Sequence, residues 1–392
     1  MTFIMFLISP ILGLISVIES FAKYKNLNKW IVITVTVIVF FFLGYSVRLT
    51  NVNADLGQYF SWFSNYENMT YSFILSEAVS EKNVFVLQQL MLTFFSKLHN
   101  ENLFTGFIVA VFYACYMYIV TTYLRQFSSA KFGFEKKRMA INFGLLIISF
   151  GWVLTSVRNP MANALIAVAI FRDLYMHKNG ILTLIFYFLG LSMHIAVLPI
   201  IVCRILVGII FSRSLLRRCF SIILGVILML AAVDSNITST ANDKFSMYGL
   251  GSSGGGFAEY ARSSFYYQVN SLFLLWLMVL NILLIMIVKK QHGSLDRTFR
   301  RFLTTVSVLA IISYFSPAPL IDRYGMFVEI FMPVVVVNVD FRRIAMGTRK
   351  ALLLMLAVTV IFGFLWQLAF LKYQIDILSF MFTVIMGWLS LL

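Results

Sequence analysis

Apolar residues fill almost the whole chain in long blocks separated by short charged breaks. A membrane-crossing helix needs roughly 20 mostly apolar residues. Blocks near that length lie at 2–18, 30–47, 103–123, 139–156, 160–176, 180–193, 195–212, 219–233, 269–288, 302–316, 324–341, 351–370 and 377–392. The pattern predicts an all-α polytopic membrane protein of about 13 spans, with residues 1–392 forming one integral membrane domain. No basic residue precedes the first block and no small-residue cleavage site follows it, so Met1 to Ile18 reads as a retained span. The stretch Ile181 to Phe211 is too long for one ordinary span and short for two. Two external loops are long, at about 48–102 and 234–268. Within the first, Val84 to Leu98 is apolar but broken by Gln88, Gln89, Ser96 and Lys97, the pattern of an amphipathic helix lying in the interface.

Composition agrees with this reading. The chain is 60% hydrophobic and 12% charged, too apolar for a soluble globule. In a membrane protein, a net charge of +15 is a statement about topology, and no nucleic-acid partner follows from it. Cys115, Cys203 and Cys219 lack metal-ligand or disulfide spacing, so no metal and no cofactor are expected.

The basic residues resolve the ambiguous stretch. If Ile181 to Phe211 turns back at His194, alternate loops hold 22 Lys and Arg against 8, with Arg204 left inside a span. Threaded as a single helix, the stretch would scatter that bias over both sides. The positive-inside rule then assigns the richer loops to the cytoplasm, the N-terminus to the outside and the C-terminus to the inside. Eleven of the 16 acidic residues fall on or near the external side.

Four polar residues converge on that external face: Asp55, Arg158, His194 and Arg323. Arg158 precedes Asn159 and Pro160, a cap residue and a first-turn residue, so its guanidinium and the free N–H groups of a helix start share one volume suited to an anion. Arg323 repeats the device after Ser316-Pro317-Ala318-Pro319, with Asp322 placed to cap and Tyr324 following. His194, in Ser192-Met193-His194, can take a proton from a hydroxyl or hydrogen-bond a phosphate. Asp55, in Asn53-Ala54-Asp55-Leu56-Gly57-Gln58-Tyr59, can act as a base, position a sugar hydroxyl or pair with an arginine. Glu329 lies seven residues after Asp322, on a similar helix face and inside a span by count. The glycine-rich segment 249–257 lacks the Lys-Ser or Lys-Thr of a phosphate-binding loop and reads as a lid or linker. The aromatic residues of 59–73 and 260–267 fit an interfacial belt or a sugar-stacking surface.

Taken in order along the chain, Asp55 with Tyr59, Arg158 opening a helix with Ala162, Ala164, Ala167 and Ala169, Ser192 with His194, and Arg323 with Tyr324 resemble EpsG-like members of the Wzy-type bacterial polysaccharide polymerases. The resemblance implies a GT-C-like, metal-independent glycosyltransferase of the bacterial inner membrane. Such an enzyme polymerises undecaprenyl-pyrophosphate-linked oligosaccharide repeat units of O-antigen or capsule at the external face. It also implies a flippase and a chain-length regulator as partners, alongside the lipid bilayer. By the same resemblance Arg158 and Arg323 neutralise the departing pyrophosphate, and His194 is the base or a further phosphate ligand, with Asp55 a second candidate base. Tyr59, Tyr324, Asn159 and Glu329 contact substrate. An O-antigen ligase, a membrane O-acyltransferase and a lipid-linked oligosaccharide transporter remain open alternatives.

Overall fold

The computed structural model describes residues 9–24, 27–50, 55–126, 133–233, 263–291, 293, 295–316 and 320–386. The glycine-rich segment, the Asn236 sequon, Tyr260, the turn 317–319 and the chain ends lie outside them. Among the described residues the regular structure is helical, with one isolated antiparallel bridge between Leu49 and Ile375 and no strand. Three helices are long and apolar enough to cross a membrane by length and composition, Glu101–Arg125, Phe265–Lys290 and Met346–Gln374, and shorter apolar helices accompany them. The protein is thus all-α and built for a membrane.

Two compact units divide the chain. Residues 1–68, 92–164 and 330–392 form the first. It holds α1 (Pro10–Lys23), α2 (Lys29–Tyr45), α3 (Asp55–Glu67), α6 (Glu101–Gln126), α7 (Phe134–Ile147), α8 (Phe150–Thr155), α16 (Met346–Gln374) and α17 (Ile377–Met386). The α2 and α6 helices run antiparallel: Lys29 donates to Thr122 Oγ1 at 2.9 Å, Phe40 stacks on Tyr113, and Thr105 donates to the Gly44 carbonyl at 2.8 Å. Their closest approach is backbone on backbone. A Cβ on Gly44 would stand 2.9 Å from the Thr105 carbonyl oxygen, and one on Gly106 equally close to that of Phe41. Small residues allow such a crossing, because dispersion contacts must bind helices where lipid removes the hydrophobic drive.

The block expected as one span at 139–156 is broken at Ile148 and Ser149 into α7 and α8. A break inside an apolar protein strands backbone groups that need partners. Gln367 of α16 supplies them, donating to the Leu146 carbonyl at 2.6 Å and accepting from the Phe150 N–H at 3.5 Å. Ser149 caps the second piece by accepting from Trp152.

Residues 69–91 and 165–329 form the second unit. Its helices are α4 (Tyr71–Ser80), α10 (Ile181–Met193), α11 (Leu198–Phe211), α12 (Leu215–Val233), α13 (Phe265–Lys290) and α14 (Arg297–Tyr314). Helices α5 (Val86–Ser96), α9 (Arg158–Ile170) and α15 (Ile321–Val337) contribute residues to both units. After α9 the chain loosens into a π turn, Phe171–Tyr175, where the block at 160–176 had been expected to stay α-helical.

The stretch Ile181 to Phe211 folds back on itself. α10 ends at Met193, His194 is extended with φ −160°, and a 3₁₀ turn at Ile195–Val197 leads into α11. Tyr187 and Arg204 both donate to the same oxygen, Oδ2 of Asp173. The 17 residues from 187 to 204 would separate these side chains by about 25 Å along one continuous helix. A shared acceptor therefore requires the chain to reverse at His194.

Candidate functional site

In the second unit, α15 opens at Ile321, two residues before the start expected at Arg323. Arg323 thus sits in the first turn, at the positive end of the helix dipole, where its own N–H donates to the Leu320 carbonyl at 3.0 Å and the Asp322 carboxylate accepts from first-turn N–H groups. Its Nη1 lies 3.0 Å from Nε2 of His194. A guanidinium only donates, so Nε2 accepts and the imidazole carries its proton on Nδ1. His194 is buried at the tip of the α10–α11 reversal, and Arg323 is half-buried.

Neighbouring contacts hold this pair. Asp322 was expected to stand outside the helix as its cap. It lies within the first turn, buried, and its carboxylate accepts from the Tyr267 hydroxyl of α13 at 3.1 Å. Ser192, on the last turn of α10, accepts from the Leu87 N–H at 3.1 Å. Tyr324 is buried. Glu329 stands two turns beyond Asp322 on the same face and is 4% exposed, without a hydrogen-bond or ion-pair partner among the described residues.

In the first unit, α9 begins at Arg158 itself, so Asn159 is a helical residue and not the cap its sequence position implied. Its Oδ1 instead accepts from Asn163 one turn on, at 3.4 Å. The residue before the helix, Val157, has φ +36°. A β-branched side chain is strained in that left-handed region, and strain of this kind clusters at functional sites. Next to it is Arg158, whose guanidinium carbon lies 5.7 Å from the centroid of the buried Tyr59 ring. Asp55 opens α3 one helical turn before Tyr59, hence on the same face; its side chain lies outside the described residues.

Sequence reasoning missed Asp173, Tyr187 and Ser221, which together with Arg204 form a fully buried polar cluster. Arg204 donates through Nε to Asp173 and through Nη1 to Ser221 Oγ. Tyr267 had been read only as part of an aromatic tract. Among the described residues no group of three or more His, Cys, Asp or Glu gathers in a metal-binding arrangement. Compared with known protein families, with curated proteins and with solved structures, the chain matches none.

Proposed function

We propose that the protein is a bacterial inner-membrane glycosyltransferase of the Wzy-type polymerase kind. On this reading it has about 13 spans and a GT-C-like plan, and joins undecaprenyl-pyrophosphate-linked repeat units at the external face. The observation that carries the reading is the Arg323–His194 pair: a guanidinium in a helix's first turn, oriented by a neutral imidazole, inside an all-α protein built for a membrane. That arrangement suits a phosphate leaving group bound to lipid.

In the reaction an acceptor sugar hydroxyl attacks the anomeric carbon of the donor. The bond from that carbon to the pyrophosphate oxygen breaks, and lipid pyrophosphate leaves with the electron pair while the hydroxyl proton passes to a base. Arg323 neutralises the charge that develops on the leaving oxygen, the term that dominates many transfers of this type. His194 holds the guanidinium through Nε2. Arg158, next to the strained Val157 and resting on Tyr59, supplies a second helix-start guanidinium for the lipid-linked substrates. Asp55 is the candidate base, since Nε2 of His194 is engaged while it holds Arg323.

The test is incubation of purified protein in EDTA with the host's undecaprenyl-pyrophosphate repeat unit, reading products as a gel ladder. A ladder from the wild type that Arg323→Ala and Arg158→Ala both lose supports the reading. No ladder from folded wild type with authentic substrate overturns it. Glu329 favours a second reading, transport of the same lipid-linked oligosaccharides, because a buried carboxyl without a partner marks many intramembrane pathways. Movement of labelled substrate across a vesicle bilayer with no new glycosidic bond would select it.

A further inference from the structure

The α14 helix begins Asp296-Arg297-Thr298-Phe299-Arg300-Arg301. Arg297, Arg300 and Arg301 are three and four residues apart, so they share one side of the first turn, where like charges repel. That is also the positive end of the helix dipole, the wrong end for cations. The nearest carboxylate is already committed. Asp296 Oδ1 accepts from the N–H groups of Thr298 at 2.8 Å and Phe299 at 3.0 Å, and Arg217 Nη1 lies 3.6 Å from that same oxygen.

A fourth guanidinium, Arg213, approaches from the turn between α11 and α12, a turn held by Arg218 donating to the Ser212 carbonyl at 2.7 Å. Arg301 ties the two elements together, its guanidinium carbon 4.2 Å from the centroid of the Phe211 ring. Burial, and then the charges of Arg297, Arg213 and Arg300, push the Arg301 pKa down, so Arg301 lies in the field of each of the other three. None of the four donates to, or ion-pairs with, another side chain among the described residues. Beside them Leu215 is 76% exposed and Leu216 67%, with Ile210 and Phe211 exposed as well. Unpaired cations bordered by an uncovered apolar surface are the two halves of a lipid site.

We propose that Arg213, Arg297, Arg300 and Arg301 bind the headgroup of an acidic phospholipid bearing two phosphodiesters, whose acyl chains lie along Phe211, Leu215 and Leu216. Two phosphodiesters match four guanidiniums arriving from two elements, each fork facing phosphate oxygens. The inference rests on the protein's being embedded in a membrane and is independent of glycosyl transfer.

The test uses the full chain in detergent, titrated with diphosphatidylglycerol and, separately, phosphatidylcholine, with retained lipid counted by native mass spectrometry. Replacing Arg297, Arg300 and Arg301 together by Gln weakens binding on the order of 100-fold at low salt, from about 1 kcal/mol per arginine. Arg349→Gln with Lys350→Gln, a basic pair in another helix, leaves it unchanged. If the triple variant does not fold, Arg213→Gln in its surface turn replaces it, with about a fivefold loss. Equal retention of diphosphatidylglycerol by variant and wild type overturns the proposal, as does equal binding of phosphatidylcholine. Full displacement of the lipid by inorganic pyrophosphate at matched phosphate concentration overturns it too, by making this a free-anion site.

Discussion

Arg204 and Arg323 are the same side chain in two settings within one unit. Arg204 is 0% exposed and meets a carboxylate, so its charge is cancelled inside the protein, with Tyr187 and Ser221 completing the cluster. Arg323 is half-buried and meets an imidazole that accepts its N–H and leaves the positive charge in place. The first arrangement fixes four segments of chain to one another: the π turn, α10, α11 and α12. The second sets a half-buried guanidinium at a helix start, beside the Asp322 carboxylate and against an imidazole. An arginine in an apolar protein is thus classified by what its partner does to its charge, more than by depth.

The largest effect expected is on the cancelled pair. Arg204→Ala leaves Asp173 buried with no counter-charge and costs about 3–5 kcal/mol of stability, read as loss of monodisperse protein or a lower Tm. Asp173→Leu combined with Arg204→Met recovers most of it, since a buried pair replaced by apolar groups is often neutral. A single variant as stable as the wild type breaks the contrast at its first term. Arg323→Ala is expected to do the opposite, leaving Tm nearly unchanged while product formation falls by about 10²–10³-fold. A thermal melt and the gel-ladder assay on one preparation check both halves. Next in size is His194. Its Ala variant loses a hydrogen bond to a charged group, a loss of roughly 10-fold or more in rate, whereas His194→Gln keeps an acceptor for Arg323 and retains most activity. Gln and Ala equally inactive would make the imidazole a proton acceptor in the reaction.

The smallest effect sharpens the contrast with a third arginine. Arg217 touches His177 in the exposed turn before α10, with Nη2 2.7 Å from Nε2. Burial first, and then the Arg217 charge, hold the His177 pKa below its ordinary value, against the opposing pull of Asp296 and Asp173. A depressed folded-state pKa means that the unfolded chain binds the proton more readily. The contribution of this pair is therefore present above the ordinary histidine range near 6.5 and is lost as pH falls through the folded value. Wild-type stability should fall below pH 6.5 relative to His177→Gln, measured as Tm against pH; parallel curves would show that the pair carries no proton linkage.

The reversal at His194 was legible because it rested on counting charges over the whole chain, a signal that one helix boundary cannot blur. The hairpin follows independently from the shared acceptor Asp173. Asp173 itself had a readable signal: it is the sole acidic residue between Glu135 and Asp234, and a buried Arg204 needs a carboxylate. The break at Ile148 was not legible. Residues 139–156 read as uninterrupted apolar helix, and the side chain that makes the break tolerable, Gln367, lies 217 residues from Phe150 in the chain. The same distance problem hid the Tyr267–Asp322 contact. Helix starts at Arg158 and Ile321 each fall two residues before those expected at Pro160 and Arg323, a shift of the size that local cap signals leave open.

The α10–α11 reversal has a consequence for biogenesis. Its 13- and 14-residue helices reach only about 20 Å each, short of the roughly 30 Å hydrocarbon core. On the proposed threading neither is long enough to cross alone, so the two partition into the bilayer together, carrying the polar Ser192-Met193-His194 tip with them. On that threading the hairpin returns the chain to the side it left and so preserves the parity of every later segment. A lesion that straightened it into one helix would invert everything downstream, so that a local folding error here becomes a global error of membrane topology.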